Sequence, residues 1–333
     1  MPNFLAHSLV AKRVMAKEGK NDSGFLASDT EDFFILGSFG PDALFYGGLL
    51  PQNGLHLGYA RKKIGNKIHK TDAKDYFRLL VNEVYSIDDV KSRRQFEAFT
   101  LGQLSHYLLD SIAHPYIMYE SGFDSNGRIT GKFHYEHAHF ESRIDAALGK
   151  KYGISYYLEP DHFPVCSKKE VLSCLEKPYD DVLKSRLKLK RLPKHYYSSC
   201  IKNWISIYKL SNKKGKFFTF LYGKSRLGAI RTPKDVDRSV LNEEKQDWKN
   251  PVTGEIHNES FIQRHAKATE LTCACYKDLR KQGFNYSVIS KYLDGLDYYG
   301  KAIGSKMTIW KGKKATDYVL NPSNWTKGQD NDA

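Results

Sequence analysis

The chain has 333 residues and a mass of 38.2 kDa, and its hydrophobic (41%) and aromatic (13%) fractions exclude a disordered chain while allowing one large domain or two. Its formal net charge of +14 and pI near 9.3 favour anionic partners such as phosphoesters, anionic lipid or nucleic acid. It contains no apolar run of about 18 residues, which argues against a transmembrane helix.

Two features lead us to expect a cytoplasmic protein. The N-terminal sequence MPNFLAHSLVAKRV has too short an apolar run for a secretory signal peptide. The five cysteines, an odd number at irregular spacing, suit free thiols in a reducing compartment, and we expect the last two to be packing residues: Cys166, Cys174, Cys200, Cys273 and Cys275.

The first two apolar segments each contain one candidate ligand. A helix is predicted from Phe4 to Ala16, with His7 on its apolar side, where it is either buried or an ordinary solvated side chain. The run FFILGSFGPDALFYGG is broken by glycines, which favour a tight turn that holds Asp42 at the edge of a buried region. Asp42 is then either a turn cap or a metal ligand and base.

Two histidines come next, around the basic segment RKKIGNKIHK. His56 precedes this segment and His69 is near its end, and either could complete a site with Asp42. A predicted helix follows, with four apolar residues on one face: Phe77, Leu80, Val81 and Val84.

The strongest pattern is on two consecutive predicted helices. His106, Asp110 and His114 are spaced i, i+4 and i+8 on a helix from about Arg94 to Ile112, which Pro115 is expected to end just after His114. His137 and Glu141 repeat the i, i+4 step on the next helix. Such pairs are often surface pairs or core hydrogen bonds. Here the other helix face is apolar, so a buried His/Asp/His stripe needs a compensating partner, and a metal suits all three side chains.

The second half gives weaker signals. Basic and aromatic residues interleave over 160–260, most densely over 184–231, which indicates either contact with a lipid surface or single-stranded nucleic acid, or amphipathic helices with solvated cationic faces. We favour the helices. A further helix is predicted from about Glu259 and a last one from Tyr286 to Gly295, and we interpret His257 and His265 as non-ligands.

Five short motifs, in order over residues 1–145, give the chain a family resemblance: MPNFLAH, LGSFGPDALFY, IGNKIHK, HYLLDSIAHPYI and HAHFESRID. Together they resemble the zinc-dependent phospholipase C family, and more closely its intracellular bacterial branch. The single-strand-specific zinc nucleases share the fold. The resemblance implies an all-α bundle around a multi-zinc site, with a zinc-binding helical core over residues 1–155 and a helical C-terminal part over 156–333 packed on it.

The resemblance also implies a ligand set for two or three zinc ions. Asp42, His69, His106 and Asp110 would surround one zinc, and His114, His137 and Glu141 would hold a second. Asp110 would bridge towards a third zinc at His7, a site that the N-terminal amine and carbonyl complete in the secreted enzymes. IGNKIHK favours His69 over His56, and His134 and His139 are expected to be outer-sphere or solvent-facing.

The activity implied by this resemblance is hydrolysis of a phosphodiester in a phospholipid or related phosphoester, with Asp42 as ligand or outer-sphere base. The choline pocket of the secreted enzymes has no counterpart recognisable by motif. Two alternatives stay open: a single-strand nuclease of the same fold, which would suit the positive charge, and a non-catalytic, zinc-stabilised protein that binds a membrane or nucleic acid.

Overall fold

The computed structural model describes residues 4–19, 24–47, 59–154, 164–213, 233 and 236–312, and over these residues the chain is all-α apart from one short hairpin. The α-helices, in chain order, are α1 (Phe4–Glu18), α2 (Glu31–Ser38), α3 (Tyr59–His69), α4 (Ala73–Ser86), α5 (Val90–Ser121), α6 (Lys132–Tyr152), α7 (Lys169–Leu187), α8 (Tyr196–Lys213), α9 (Phe261–Gln282) and α10 (Tyr286–Ile289). Short 3₁₀ helices cover Gly40–Tyr46, Pro164–Ser167, Arg238–Leu241 and Ser290–Tyr292. Strands β1 (Trp248–Lys249) and β2 (Ile256–His257) pair antiparallel.

Helix α5 is the central element, and its predicted C-terminal end was wrong. It spans 32 residues, about 48 Å at the usual rise, and continues to Ser121 with Pro115 inside it. Proline lacks the N–H that would bond to the carbonyl of Ser111, and two tertiary contacts lie beside this position. Gly300 packs directly against Ser111 and Pro115, and Arg264 donates to the neighbouring carbonyl of Ile112 at 2.7 Å.

Two glycines explain why the segment LGSFG lies so close to α5. A Cβ atom on Gly37 would be 2.2 Å from the Phe99 carbonyl oxygen, and one on Gly102 would be 2.3 Å from that of Phe34. Only glycine allows this backbone contact between α2 and α5. The segment is not one tight turn, as expected, but α2 followed by the 3₁₀ helix, which places Asp42 in a buried position.

The other predicted elements of the first half are confirmed in outline. Helix α1 buries His7 together with Val10 and Val14. Helix α4 begins at an N-cap, Asp72, and buries the four predicted apolar residues. Helix α6 contains both His137 and Glu141.

The second half contributes to the same hydrophobic core. Helices α7 and α8 bury apolar faces, as the amphipathic interpretation predicted, and α9 packs on α5 and α1. Helix α9 begins at Phe261 after a Ser260–Gln263 capping box, close to the predicted start. The last helical segment ends at Tyr292, not Gly295, because Leu293 is extended. The boundary near residue 155 stays a prediction, and residues 214–231 lie outside the described residues.

None of the helices in the described ranges is long and apolar enough to cross a membrane. The cysteines are unpaired, and all except Cys174 are buried. Cys273 and Cys275 are in the core of α9, as predicted for packing residues.

Candidate metal centre

Helix α5 contributes three buried side chains that follow one another at successive turns. His106 is fully buried, and Asp110 and His114 are 6% and 4% exposed. Oδ2 of Asp110 lies 3.1 Å from Nε2 of His106, while Oδ1 lies 3.8 Å from Nδ1 of His114. The predicted stripe therefore exists, with the carboxylate between the two imidazoles.

A first group of possible ligands joins α5 to the 3₁₀ helix Gly40–Tyr46 and to the end of α3. Nε2 of His69 lies 2.9 Å from Oδ1 of Asp42, and Nε2 of His106 lies 3.9 Å from the same oxygen. Ligand atoms of these three residues all lie within 4.8 Å of one another. The structure thus places His69 with Asp42, while His56 lies outside the described residues.

A second group joins α5 to α6. Oε1 of Glu141 lies 3.2 Å from Nε2 of His114 and 3.1 Å from Nε2 of His137. All three side chains are buried. The i, i+4 step on α6 therefore faces the last ligand candidate on α5.

A third group adds α1. Nε2 of His7 lies 3.2 Å from Oδ1 of Asp110, and the His7 ring stacks on the His106 ring at a centroid distance of 3.9 Å. His7, His106 and Asp110 form the group. The Nδ1 atom of His106 lies 3.1 Å from the Ser38 carbonyl, so only Nε2 is available, and it cannot bind metals in both the first and third groups.

The distances within these groups fit a zinc ion. Four nitrogen and oxygen ligands about 2.05 Å from zinc are separated by about 3.3 Å in a tetrahedron, close to the observed values. Although Nε2 of His106 lies 3.1 Å from Asp110, it has no aligned hydrogen bond within the described residues, as expected for two atoms that approach a common ion. Neutral imidazole and carboxylate are the donors that zinc accepts.

Backbone carbonyls orient three of the histidines. Nδ1 of His69 lies 2.8 Å from the Gly65 carbonyl oxygen, and Nδ1 of His114 lies 2.5 Å from that of Tyr298. His106 makes the corresponding contact to Ser38. In each case Nδ1 can donate to the carbonyl, which leaves Nε2 free to bind a metal, as is usual for metal-binding histidines.

The electrostatics of the site keep its carboxylates anionic and shift the pKa values of its histidines in two opposite directions. Burial alone would raise the pKa of Asp110, but His114 and His106 hold it well below its usual value. Burial opposes ionisation of Glu141 too, and His137 and His114 hold its pKa low. Burial lowers the pKa of His7 and of His137, which keeps both imidazoles neutral. The carboxylates are therefore anionic and these two imidazoles are free to bind a metal. At His106 and His114 burial is outweighed by Asp110, which raises the pKa of both, that of His114 to about 9, so a metal that binds them must displace a proton.

The first two groups open on one cleft. Its other lining residues are Phe45, Asn66, Ile129, His134 and Tyr299. His139, by contrast, is buried and is not among the residues that line the cleft.

Sequence reasoning missed the contribution of Tyr298 and Tyr299. The Tyr299 ring lies 5.3 Å from the His114 ring, and Tyr298 lies against His69 at 4.9 Å between ring centroids. Both tyrosines are more than 180 residues beyond His114, and no spacing rule connects such distant positions. Only the tertiary structure reveals them.

The fold and these groups define an all-α protein with a buried His/Asp/Glu centre suited to several metal ions. A family model, zinc-dependent phospholipase C, matches residues 1–215, which is more than half of the chain, and the chain belongs to this family. All eight predicted ligands lie within the matched part. Neither the search of curated proteins nor the search of solved structures gave a match.

Proposed function

We propose that this protein is a zinc-dependent phosphodiesterase of the phospholipase C type that hydrolyses a phospholipid or a related phosphoester. The observation that carries the proposal is the convergence of two ligand groups on one cleft. Six of the predicted ligands line it: Asp42, His69, Asp110, His114, His137 and Glu141. A phosphodiester in this cleft would contact both groups at once, which suits a multi-metal hydrolase.

The proposed ligands follow from the contacts. Asp42, His69, His106 and Oδ2 of Asp110 would hold one zinc, and His114, His137 and Glu141 a second. Oδ1 of Asp110, 3.2 Å from His7, would bridge towards a third. Because His106 serves the first group, the third site would need a further ligand and is expected to bind zinc most weakly.

Zinc bound there would polarise the phosphate oxygens and lower the pKa of a water molecule. Asp42 is 4% exposed at the edge of the cleft, where its carboxylate would orient the attacking water or accept its proton. Phe45 and Tyr299 give the cleft aromatic walls, and Asn66 adds an amide that can hydrogen bond to the substrate.

Replacement of Asp42 tests this proposal. Asp42→Asn removes the negative charge and the basic oxygen but keeps the shape and one oxygen ligand. We expect turnover of bis(p-nitrophenyl) phosphate to fall by on the order of 10²-fold or more, with most of the zinc retained. The measurements are initial rates and zinc content by mass spectrometry. The control is Asp89→Asn at the exposed N-cap of α5, where asparagine also caps well.

A comparison of three candidate substrates tests which phosphodiester the protein hydrolyses. The zinc-loaded protein is incubated with phosphatidylcholine vesicles, phosphatidylglycerol vesicles or single-stranded DNA. Release of a phosphorylated headgroup supports the phospholipase activity, and release of nucleotides instead supports the nuclease. Binding without turnover of any substrate, or an Asp42→Asn variant as active as the parent, would contradict the proposed mechanism.

We also infer a cytoplasmic location, which the unpaired cysteines support because such thiols persist in reducing compartments. A fluorescent fusion in the producing cell, followed by fractionation, tests this inference. Recovery of the protein outside the cytoplasm would overturn it.

A further inference from the structure

One residue beyond the family match contacts three of the proposed zinc ligands. The backbone carbonyl of Tyr298 accepts a hydrogen bond from Nδ1 of His114 at 2.5 Å, and its N–H donates to the carbonyl of His69 at 3.3 Å. Its ring packs on His69 and lies 5.9 Å from the His106 ring. The ligands of both groups are therefore tied to a segment that lies outside residues 1–215.

This segment is a compact turn. Leu296 and Ala302 pair across its base, and the fully buried Asp297 organises its interior. Oδ1 of Asp297 accepts the backbone N–H groups of Tyr299 at 2.9 Å and Lys301 at 3.3 Å. Oδ2 lies 2.9 Å from the Lys301 ammonium group. These contacts fix the backbone around Tyr298.

The turn packs on α5 at the point where Pro115 removes one backbone hydrogen bond from the helix. Gly300 has a left-handed φ of +69°, and a Cβ atom there would be 2.2 Å from the Ser111 carbonyl oxygen and 2.8 Å from the Pro115 ring. Ser111 directly follows Asp110 in the sequence, and Pro115 directly follows His114. Gly300 thus allows the turn to reach the part of α5 where the ligands of the two groups meet.

We propose that the turn 296–302 is a positioning element of the zinc centre. The turn holds His114 through the Tyr298 carbonyl, and it can pack on α5 only because Gly300 has no side chain. The proposal rests on the zinc site described above. Because its Nδ1–H donates to this carbonyl, His114 presents Nε2 to the second group, 3.2 Å from Glu141. Without the turn, the ring would be free to rotate away.

Two glycine substitutions provide a matched test. Gly300→Ala adds a methyl group that collides with α5, whereas Gly304→Ala adds one to another left-handed glycine, φ +85°, with nothing within 4 Å. Both variants place a side chain at a left-handed φ, and only Gly300→Ala also collides with α5. We expect Gly300→Ala to weaken the second zinc equivalent by about 10- to 100-fold. The first group should be affected much less, because the Nδ1 atom of His69 is held by the Gly65 carbonyl and not by the turn. Gly304→Ala should bind zinc as the parent does.

Zinc affinity is measured by competition with a chromophoric chelator, and the visible spectrum of the cobalt-substituted protein reports the ligand geometry. Melting of the chelator-treated variants separates a local effect from general unfolding. If Gly300→Ala does not fold, Asp297→Asn is used instead, because it keeps the acceptor for the backbone N–H groups and loses only the Lys301 ion pair. It should weaken the same zinc equivalent in the same direction.

The outcomes separate this proposal from the proposed function. If the parent protein binds no zinc, the phosphodiesterase proposal fails and the positioning role fails with it. If the parent binds zinc and a folded Gly300→Ala, or Asp297→Asn, matches its affinity and cobalt spectrum, only the positioning role is overturned. Equal losses at all zinc equivalents would indicate a merely structural role and would also overturn it.

Discussion

At the residue scale, two histidines on the same turn of α6 provide a comparison. His137 is 3.1 Å from Glu141 in the second ligand group, whereas His139 is buried nearby without belonging to any of the three groups. We expect His137→Ala to lose one zinc per chain, because glutamate and His114 alone hold the ion weakly. His139→Ala should keep the full zinc content. Zinc-to-protein ratios by mass spectrometry, on protein purified without a metal-affinity tag, test the difference.

Either of two results would contradict the ligand assignment. One is an unchanged zinc content in His137→Ala. The other is an equal loss in both alanine variants, which would point to misfolding of α6. Circular dichroism of both variants, recorded on the same preparations, shows whether the helix content is intact.

The candidate ligands on α5 and α6 were predictable from the sequence for a physical reason. Helical spacing places His106, Asp110 and His114 on one stripe, and Glu141 beside His137, so that local geometry alone defines their proximity. His7, Asp42 and His69 come from three other elements, and only the family resemblance related them to this stripe. Tyr298 belongs to neither category and could not be found without the tertiary structure.

At the element scale, α1 is held at its first turn from two sides. Asp145 of α6 accepts the N–H groups of Leu5 at 2.9 Å and Ala6 at 3.0 Å, two of the donors that the start of a helix leaves unpaired. His265 of α9 lies 2.9 Å from the carbonyl of Ala6 and 2.9 Å from Arg13. These contacts fix the position of His7, the next residue, beside Asp110.

The contact of His265 predicts a pH dependence of stability. Burial, with a smaller contribution from Arg13, lowers the pKa of His265 to about 3, whereas the unfolded chain titrates near 6.5. Between these values the unfolded chain binds a proton that the folded protein does not, so the stabilisation present above pH 6.5 is lost as the pH falls towards 3. The loss approaches about 1.4 kcal/mol per pH unit at its steepest.

His265→Gln tests this pH dependence. Glutamine can still donate to the Ala6 carbonyl but does not titrate, so the free energy of unfolding should fall less steeply than in the parent between pH 6.5 and 5. Urea unfolding at pH 7, 6 and 5, in the presence of a chelator, excludes effects of bound zinc. His257→Gln is the control, because His257 is partly exposed: its ring stacks on Trp248, and its nitrogens lie 3.6 Å from Glu255 and 3.5 Å from Glu259. Identical slopes in the parent and His265→Gln would remove His265 from the explanation.

Helix boundaries were less predictable than helix positions. The expected end of α5 at Pro115 followed a sound local rule, yet the helix continues, with Gly300 packed against the proline and Arg264 bonded to the carbonyl of Ile112. Similarly, Gly37 looked like a turn residue and instead allows α2 to touch α5. In both cases the deciding partner is far away in sequence.

At the scale of the whole molecule, the zinc centre joins parts of the chain that are distant in sequence. Its proposed ligands come from α1, the 3₁₀ helix Gly40–Tyr46, α3, α5 and α6, and the turn 296–302 covers one side. The all-α class was predictable from the family motifs, while periodicity predicted individual helices. The contribution of residues beyond 215 was not, because neither the motifs nor the family match extends to them.

Zinc removal should therefore destabilise the whole molecule and not only the cleft. A ligand that binds the folded state alone adds about 4 kcal/mol at a thousand-fold excess over its Kd, which for a chain of this size corresponds to a shift in Tm on the order of 5 to 10 °C. Calorimetry with and without a chelator measures this shift.

Added zinc should restore the parental Tm, whereas magnesium should not, because it prefers six oxygen ligands. His137→Ala should retain a smaller shift, from the first group alone. A Tm that does not respond to the chelator would mean that the clustered histidines and carboxylates hold no metal, and the phosphodiesterase proposal would have to be abandoned.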